Sequence, residues 1–244
     1  MNKYTITAII LSLGIVAAAA IAGSAFKNRN FSDNTILVTG LGTKTFTSDL
    51  ITWSGRFTQT DYELKVAYEG LESNRNTIRE YLISKGIPED QIIFSAVNTY
   101  KRTNYSTDEY GRSREVFAGY ELSQSVSIES KEVEKIEALS RNITEIINRG
   151  IEFNSSPPNY FYTKLAEVKH EMIADATKDA KLRAERIADN AGAELGKLKS
   201  ARTGVIQITA PNSNEEYSYG GTFNTYSKEK EASITIRLEY MVKN

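Results

Sequence analysis

The chain has 244 residues, 25% charged and 40% hydrophobic, with 30 basic against 31 acidic residues, a formal net charge of −1, one His (His170) and no Cys. No surplus positive charge exists to neutralise a phosphate backbone, so nucleic-acid binding is not expected; the lack of Cys and of a second His excludes thiol catalysis, CxxC redox chemistry, thiolate zinc sites and His-pair metal sites. About 215 residues beyond the N-terminal segment suffice to bury roughly 70% of their unfolded surface, so the fold needs no metal or disulfide.

Tyr4 to Phe26 contains no charged residue and is flanked by Lys3 on one side and by Lys27 and Arg29 on the other. As a helix this run would be about 35 Å long, enough to cross a hydrocarbon core of roughly 30 Å. Two readings stay open. An uncleaved anchor over residues 1–26 fits the unbroken length and the cations that follow it. A removed signal peptide would be cut after Ala20-Ile21-Ala22 or Gly23-Ser24-Ala25. Either exports the rest of the chain if the N-terminus stays cytoplasmic. The expectation is a single-pass protein of the inner (cytoplasmic) membrane with its domain facing the periplasm or cell exterior; the alternative is a soluble periplasmic chain. The cations on the two sides balance and do not orient the segment.

Residues 27 to 34 (KNRNFSDN) read as a polar linker, and residues 35 to 244 as one domain. Thr35 to Phe46 and Leu50 to Thr60 are predicted strands, with Ile51, Trp53, Gly55 and Phe57 alternating against polar neighbours. Thr60 and Glu63 have capping-box spacing, and Leu64, Ala67, Leu71, Ile78 and Leu82 recur at helical intervals until Gly86 and Pro88 stop the helix. Gln91 to Arg102 is a predicted strand, Asn104 to Ser113 a polar turn, and Arg114 to Ser130 a long strand. Ser130 is expected to cap a helix to Arg149-Gly150 with Val133, Ile136, Leu139, Ile143 and Ile146 inside. Pro157-Pro158 keeps Ile151 to Tyr162 extended. A third helix, starting between Lys164 and Lys169 and ending near Ala191, carries a stripe of Met172, Ala176, Ala180, Ala184, Ile187, Ala188 and Ala191, small enough for close docking on a sheet. Leu198 to Thr209 and Glu231 to Val242 are the last strands, around a polar loop from Pro211 to Tyr226. The order β-β-α-β-β-α-β-α-β-β, preceded by the transmembrane helix, predicts an α+β fold: a largely antiparallel sheet with about three helices packed on it.

No constellation of catalytic, cofactor-binding or metal-ligating residues emerges. Gly40-Leu41-Gly42 lacks the third Gly and following helix of a phosphate turn and reads as a bend or bulge. His170-Glu171 opens like HExxH, but position 174 is Ala. The carboxylate pairs Glu132/Glu134, Glu215/Glu216 and Asp175/Asp179 fall on helix starts, solvent faces or a loop. Lys178, Lys181, Arg183 and Arg186 interleave with Asp175, Asp179, Glu185 and Asp189 as a salt-bridged solvent face. The remaining candidate is the loop cluster of Tyr217, Tyr219, Phe223 and Tyr226, amphipathic rings on a Gly/Ser background of the kind contact surfaces use; plain disorder is its competing reading.

ILVTGLGTKTFTSDLITWSGRFT (36–58), with Gly40, Gly42, Asp49 and Trp53, GYELSQSVSIESKEVEKI (119–136), and KHEMIADATKDAKLRAERIADNAGAELGKL (169–198), with Asp179-Ala180, Arg183-Ala184, Ala188, Gly192 and Leu195-Gly196, together resemble the SIMPL-domain family, specifically its bacterial envelope branch with an N-terminal anchor. The resemblance implies an exported α+β domain without established catalytic residues or cofactor, in a family where some members form ring-like or hollow homo-oligomers. The expected role is structural: self-assembly or binding of another envelope protein through strand edges and the Tyr-rich loop. The alternative is a small-ligand or lipid-binding envelope protein linked to stress response, with a cavity lined by Trp53, Phe57 or Phe94.

Overall fold

The computed structural model describes residues 3–29, 34–107 and 110–243, with side chains from 11–24 and from 34 onward outside that gap. Helix α1 (Lys3–Arg29) carries the apolar N-terminal run and continues through the first residues of the expected linker, of which 30–33 lie outside the described residues. Its described side chains, Leu11 to Ser24, are all exposed. No helix among the described residues is long and apolar enough to cross a membrane, so the expected transmembrane helix over the N-terminal run is not supported there.

The rest is a mixed helical and antiparallel fold. β1 (Thr35–Thr47) and β2 (Leu50–Asp61) precede α2 (Leu64–Ser84), then come a 3₁₀ turn (Glu89–Gln91), β3 (Ile93–Phe94), β4 (Asn98–Thr107) and β5 (Ser113–Ser130). α3 (Val133–Asn142) runs into a 3₁₀ segment (Ile143–Arg149), followed by β6 (Phe153–Ser155), β7 (Asn159–Phe161), α4 (Leu165–Asn190), β8 (Glu194–Thr203), β9 (Gln207–Thr209) and β10 (Glu229–Lys243). One sheet has the order β1-β10-β8 with β9 also on β10; the other has the order β3-β5-β2-β6 with β4 also on β5 and β7 also on β2. β5 pairs antiparallel with β2, β3 and β4, β2 with β6 and β7, and β10 with β8 and β9.

Two compact units arise: residues 1–40, 177–203 and 236–244, and residues 41–176 and 204–235. The second contains the large apolar core. Ile51, Trp53 and Phe57 of β2 and Val126 and Ile128 of β5 are buried with Leu71, Ile78 and Leu82 of α2 and Ile136, Ile143 and Ile146 of the α3 segment. Gly55 leaves the space that the Phe153 ring fills. Trp53 Nε1 donates to Ser155 Oγ at 3.0 Å, and that hydroxyl donates to the Ser140 carbonyl at 3.0 Å, so the one buried indole N–H is satisfied. Asp49 takes the Thr163 backbone N–H and hydroxyl, both at 2.7 Å, just before α4 begins.

Several expectations change in detail. β2 runs on past Thr60, so the capping box does not form; Asp61 Oδ1 accepts the Glu63 N–H at 2.9 Å instead. The expected strand 91–102 breaks at 95–97, where Ser95 is tied to β5 by its own N–H to the Ser125 carbonyl and by Gln124. The expected turn 104–113 is largely hairpin: β4 continues to Thr107 and β5 starts at Ser113, because Thr, Tyr and Ser at alternating positions suit a solvated strand; positions 108 and 109 lie outside the described residues. Gly150 at φ +78° ends the α3 segment, which tightens to 3₁₀ after Asn142. Gly40-Leu41-Gly42 is no bend. β1 passes straight through it with both glycines on its buried face. On α4 the residues Met172, Ala176, Ala180, Ala184 and Ala188 are buried, but Ile187 is half exposed and Ala191 lies past the helix end on the surface, since a four-residue step drifts away from both.

Candidate functional site

The loop between β9 and β10 is held from inside. β9 is buried at all three positions, and the Gln207 side chain acts as a strut: its Nε2 donates to the Ser218 carbonyl at 2.9 Å, and its Oε1 accepts the Thr222 N–H at 2.8 Å. Ile208 exchanges backbone hydrogen bonds with the returning chain, its N–H to the Thr222 carbonyl at 2.8 Å and its carbonyl to the Asn224 N–H at 2.9 Å. Glu215 accepts from the Asn224 side-chain amide and from the Ala210 N–H. The Asn224 Oδ1 takes the Ser227 N–H at 2.8 Å, and the Thr225 carbonyl takes the Tyr160 N–H at 2.7 Å. Gly221, at φ +96°, lies where a Cβ would meet the Ile206 carbonyl oxygen at 2.9 Å, so this turn admits no larger residue without strain.

Lys230 closes the frame. Its side chain is wholly buried, and Nζ donates to the carbonyls of Asn224 at 2.5 Å and Ser227 at 2.9 Å. Burial lowers its pKa to about 8, with Glu215 acting in the opposite direction. A neutral amine keeps two N–H donors for these two carbonyls, so the contacts survive deprotonation.

On this frame the four predicted rings sit at the surface. Tyr219 and Tyr226 project furthest, at 103% and 77% exposure. Tyr217 is steadied at its hydroxyl by Ser233 Oγ at 3.3 Å, and Phe223 stacks on Phe161 with centroids 6.5 Å apart. Among the described residues no ring contact joins the four to one another. The loop is therefore an ordered display of aromatic groups and not the structureless segment weighed as its competitor. The sequence reading does not mark Lys230, Gln207 or Asn224, and marks Glu215 only as half of a loop carboxylate pair. For Lys230 a signal existed: it shares the even positions of Ala232, Ile234, Ile236, Leu238 and Tyr240, all buried.

Other candidates resolve into packing and ion pairs. His170 is exposed on α4, and Glu171 beside it pairs with Lys44. Glu134 sits 2.8 Å from Lys228, whose hydrogen bond holds that carboxyl below its usual range. Glu145 joins Lys85 at 3.0 Å and the Tyr81 hydroxyl at 3.0 Å, tying α2 to the 3₁₀ segment. On α4, Arg183 pairs with Asp179 at 2.9 Å and Lys181 with Glu185 at 3.5 Å, as the charge pattern predicted. Trp53 and Phe57 are buried and ring-packed, Phe57 edge-on to Phe94 and Trp53 against Phe153, while a partly open pocket of about 320 Å³ has Trp53 in its lining together with Ile93, Ser127 and Ile128. A separate shallow cleft of about 570 Å³ lies between β1 and α4, lined by Val38, Thr39, Arg183, Arg186 and Ile187.

A family profile described as SIMPL, protein of unknown function (DUF541), matches residues 36–240. No curated protein matches the chain.

Proposed function

The chain belongs to the SIMPL family, and on that premise we propose that its folded region is a non-enzymatic binding and self-assembly domain of the cell envelope, held at the membrane by the uncharged run Tyr4 to Phe26 and facing the periplasm. The observation that carries the reading is the hydrogen-bonded loop that holds Tyr217, Tyr219, Phe223 and Tyr226 in solvent. Rings presented on a rigid frame bind without the entropy loss of ordering a loop, and Tyr combines apolar area with a polar tip. The partner is a second copy or another envelope protein. Support for the tether comes from 27 helical residues that include the uncharged run Tyr4 to Phe26, and from Leu11, Leu13, Ile15, Val16 and Ile21, which leave 62–70% of their surface uncovered.

Sedimentation equilibrium of the full chain in detergent tests self-assembly. A mass above the monomer that grows with concentration is expected; a monomer throughout the range rejects that part of the proposal.

A second reading draws on the cleft beside β1. Val38 and Ile187 give it an apolar floor and Arg183 and Arg186 a cationic rim, which suits an amphiphile with one anionic head. Titration with a long-chain fatty acid should then give saturable binding that Ile187→Asp abolishes; equal binding by that variant rejects the site.

A further inference from the structure

We propose that the outer face of the β3-β5-β2 sheet binds an amino sugar, with Glu129 taking the ammonium group and the side chains around it taking the hydroxyls. The strand registers assemble the site. β5 sets Glu129 opposite Thr52 and Ser127 opposite Ser54 of β2; β3 sets Ile93 opposite Ser127, and β7 sets Asn159 opposite Thr52. Directly opposed residues share a face, so these six side chains stand together on the side away from the core, which their strand neighbours Ile51, Trp53, Val126 and Ile128 fill. They line a partly open pocket of about 320 Å³, with Trp53 and Ile128 completing its lining. Short flanking strands make the hollow. Among the described strands none pairs with β5 past Ser127 on the β3 side, and β6 and β7 leave Trp53 and Ser54 of β2 without a strand partner on the other.

The lining chemistry selects the ligand. Glu129 is the only charged residue in it, and among the described residues its carboxylate has no hydrogen-bond or ion-pair partner; the same holds for the side chains of Thr52, Ser54 and Asn159. Arg56, the next β2 residue on this face, does not neutralise Glu129: its guanidinium donates to Ser123 Oγ at 2.6 Å, further from the pocket. Lys131 lies past the end of β5 and outside the lining. A ligand that brings its own positive charge complements such a site through a charge-assisted hydrogen bond. The hydroxyls and the Asn159 amide can each donate and accept, as the hydroxyls of a sugar do. Ser54 and Ser127 face each other across strands about 5 Å apart, and Thr52 and Glu129 lie one pleat, about 7 Å, further along, a patch that one sugar ring with its substituents covers. Ile93, 60% exposed at the rim, suits the C–H face of that ring. The volume lies at the small end of the range of roughly 300–1,000 Å³ for small-molecule sites, which fits a single ring. No residue of the Tyr-rich loop or of the cleft beside β1 takes part.

Titration calorimetry of the full chain in detergent, with glucosamine as the probe at about pH 6, where its amine carries a proton, tests the site. Saturable binding is expected, about tenfold tighter than that of glucose or N-acetylglucosamine, which lack the ammonium group. Glu129→Gln should raise the glucosamine dissociation constant about tenfold, and Ser54→Val should weaken binding as well, both with the melting temperature of the parent. Glu115→Gln, on the same strand beyond the β2 pairs, should change nothing. A glucosamine tetramer that binds as tightly as the monomer makes a free sugar the occupant, and one that binds far more tightly makes it a unit of a polymer; either result supports the site. No saturable binding, equal affinity for glucose, or binding unchanged by Glu129→Gln overturns it, and leaves the self-assembly reading, tested by sedimentation, where it stood.

Discussion

Lys230 carries its charge into the interior with two carbonyl oxygens as hydrogen-bond acceptors. Its pKa of about 8 lies below the ordinary lysine value, so between pH 8 and 10 the unfolded chain keeps a proton that the folded chain has released. Stability must therefore rise with pH across this window, by up to about 3 kcal/mol from this one group. Urea unfolding of the parent chain and of Lys230→Met at pH 7 and pH 10 should show the parent gaining on the variant as pH rises; a constant difference would mean that Lys230 does not titrate there. The surface rings behave differently. Tyr219→Ser with Tyr226→Ser removes side chains that pack on little, so the stability change should stay within about 0.5 kcal/mol, while the sedimenting mass or partner capture should fall. A variant that unfolds more easily yet associates normally would make the rings structural. The four rings were legible as a composition cluster, but their struts were not. Gln207 meets Ser218 and Thr222 only after the chain reverses, and no local pattern encodes that reversal.

The close approach of β1 and α4 at Gly42 depends on the small size of the residues that meet there. A Cβ on Gly42 would fall on the Met172 carbonyl oxygen, and Ala176 follows one turn later on the buried stripe. Gly42→Ala should therefore cost about 2 kcal/mol by overpacking, whereas the exposed neighbour Thr43→Ala should cost little; differential scanning calorimetry of the two variants separates them, and equal melting temperatures would reject the close-docking account. The alanine stripe announced this packing in the sequence, because period and residue size are both local. The glycine that meets it, Gly42, reads in the sequence as part of a bend, since a glycine signals freedom of the chain and not which neighbour needs the space. The same limit explains β4. Thr, Asn, Tyr and Ser suit a polar turn or a solvated strand equally, and only the register with β5 from Asn98 to Thr107 selects the strand.

For the whole molecule, the proposed anchoring by the uncharged N-terminal run is tested separately from the folded region. Cell fractionation with N-terminal sequencing should find chains that begin at Met1 in the membrane fraction; a soluble chain beginning near Gly23 or Phe26 would replace the anchor by a signal peptide. The amino-acid sequence by itself determined the helical and extended segments with strong periodicity, the inner faces of α2 and α3, the family, and the lack of any Cys or paired His, because each of these follows from neighbours along the chain or from composition. Only the tertiary structure decided that the Tyr-rich loop is ordered, that Lys230 is buried beneath it, that β4 forms an exposed ribbon, and that Trp53 and Phe57 pack against Phe153 and Phe94 in the core. Those outcomes depend on which distant segments meet, and the free energy that selects among them comes from contacts far apart in sequence.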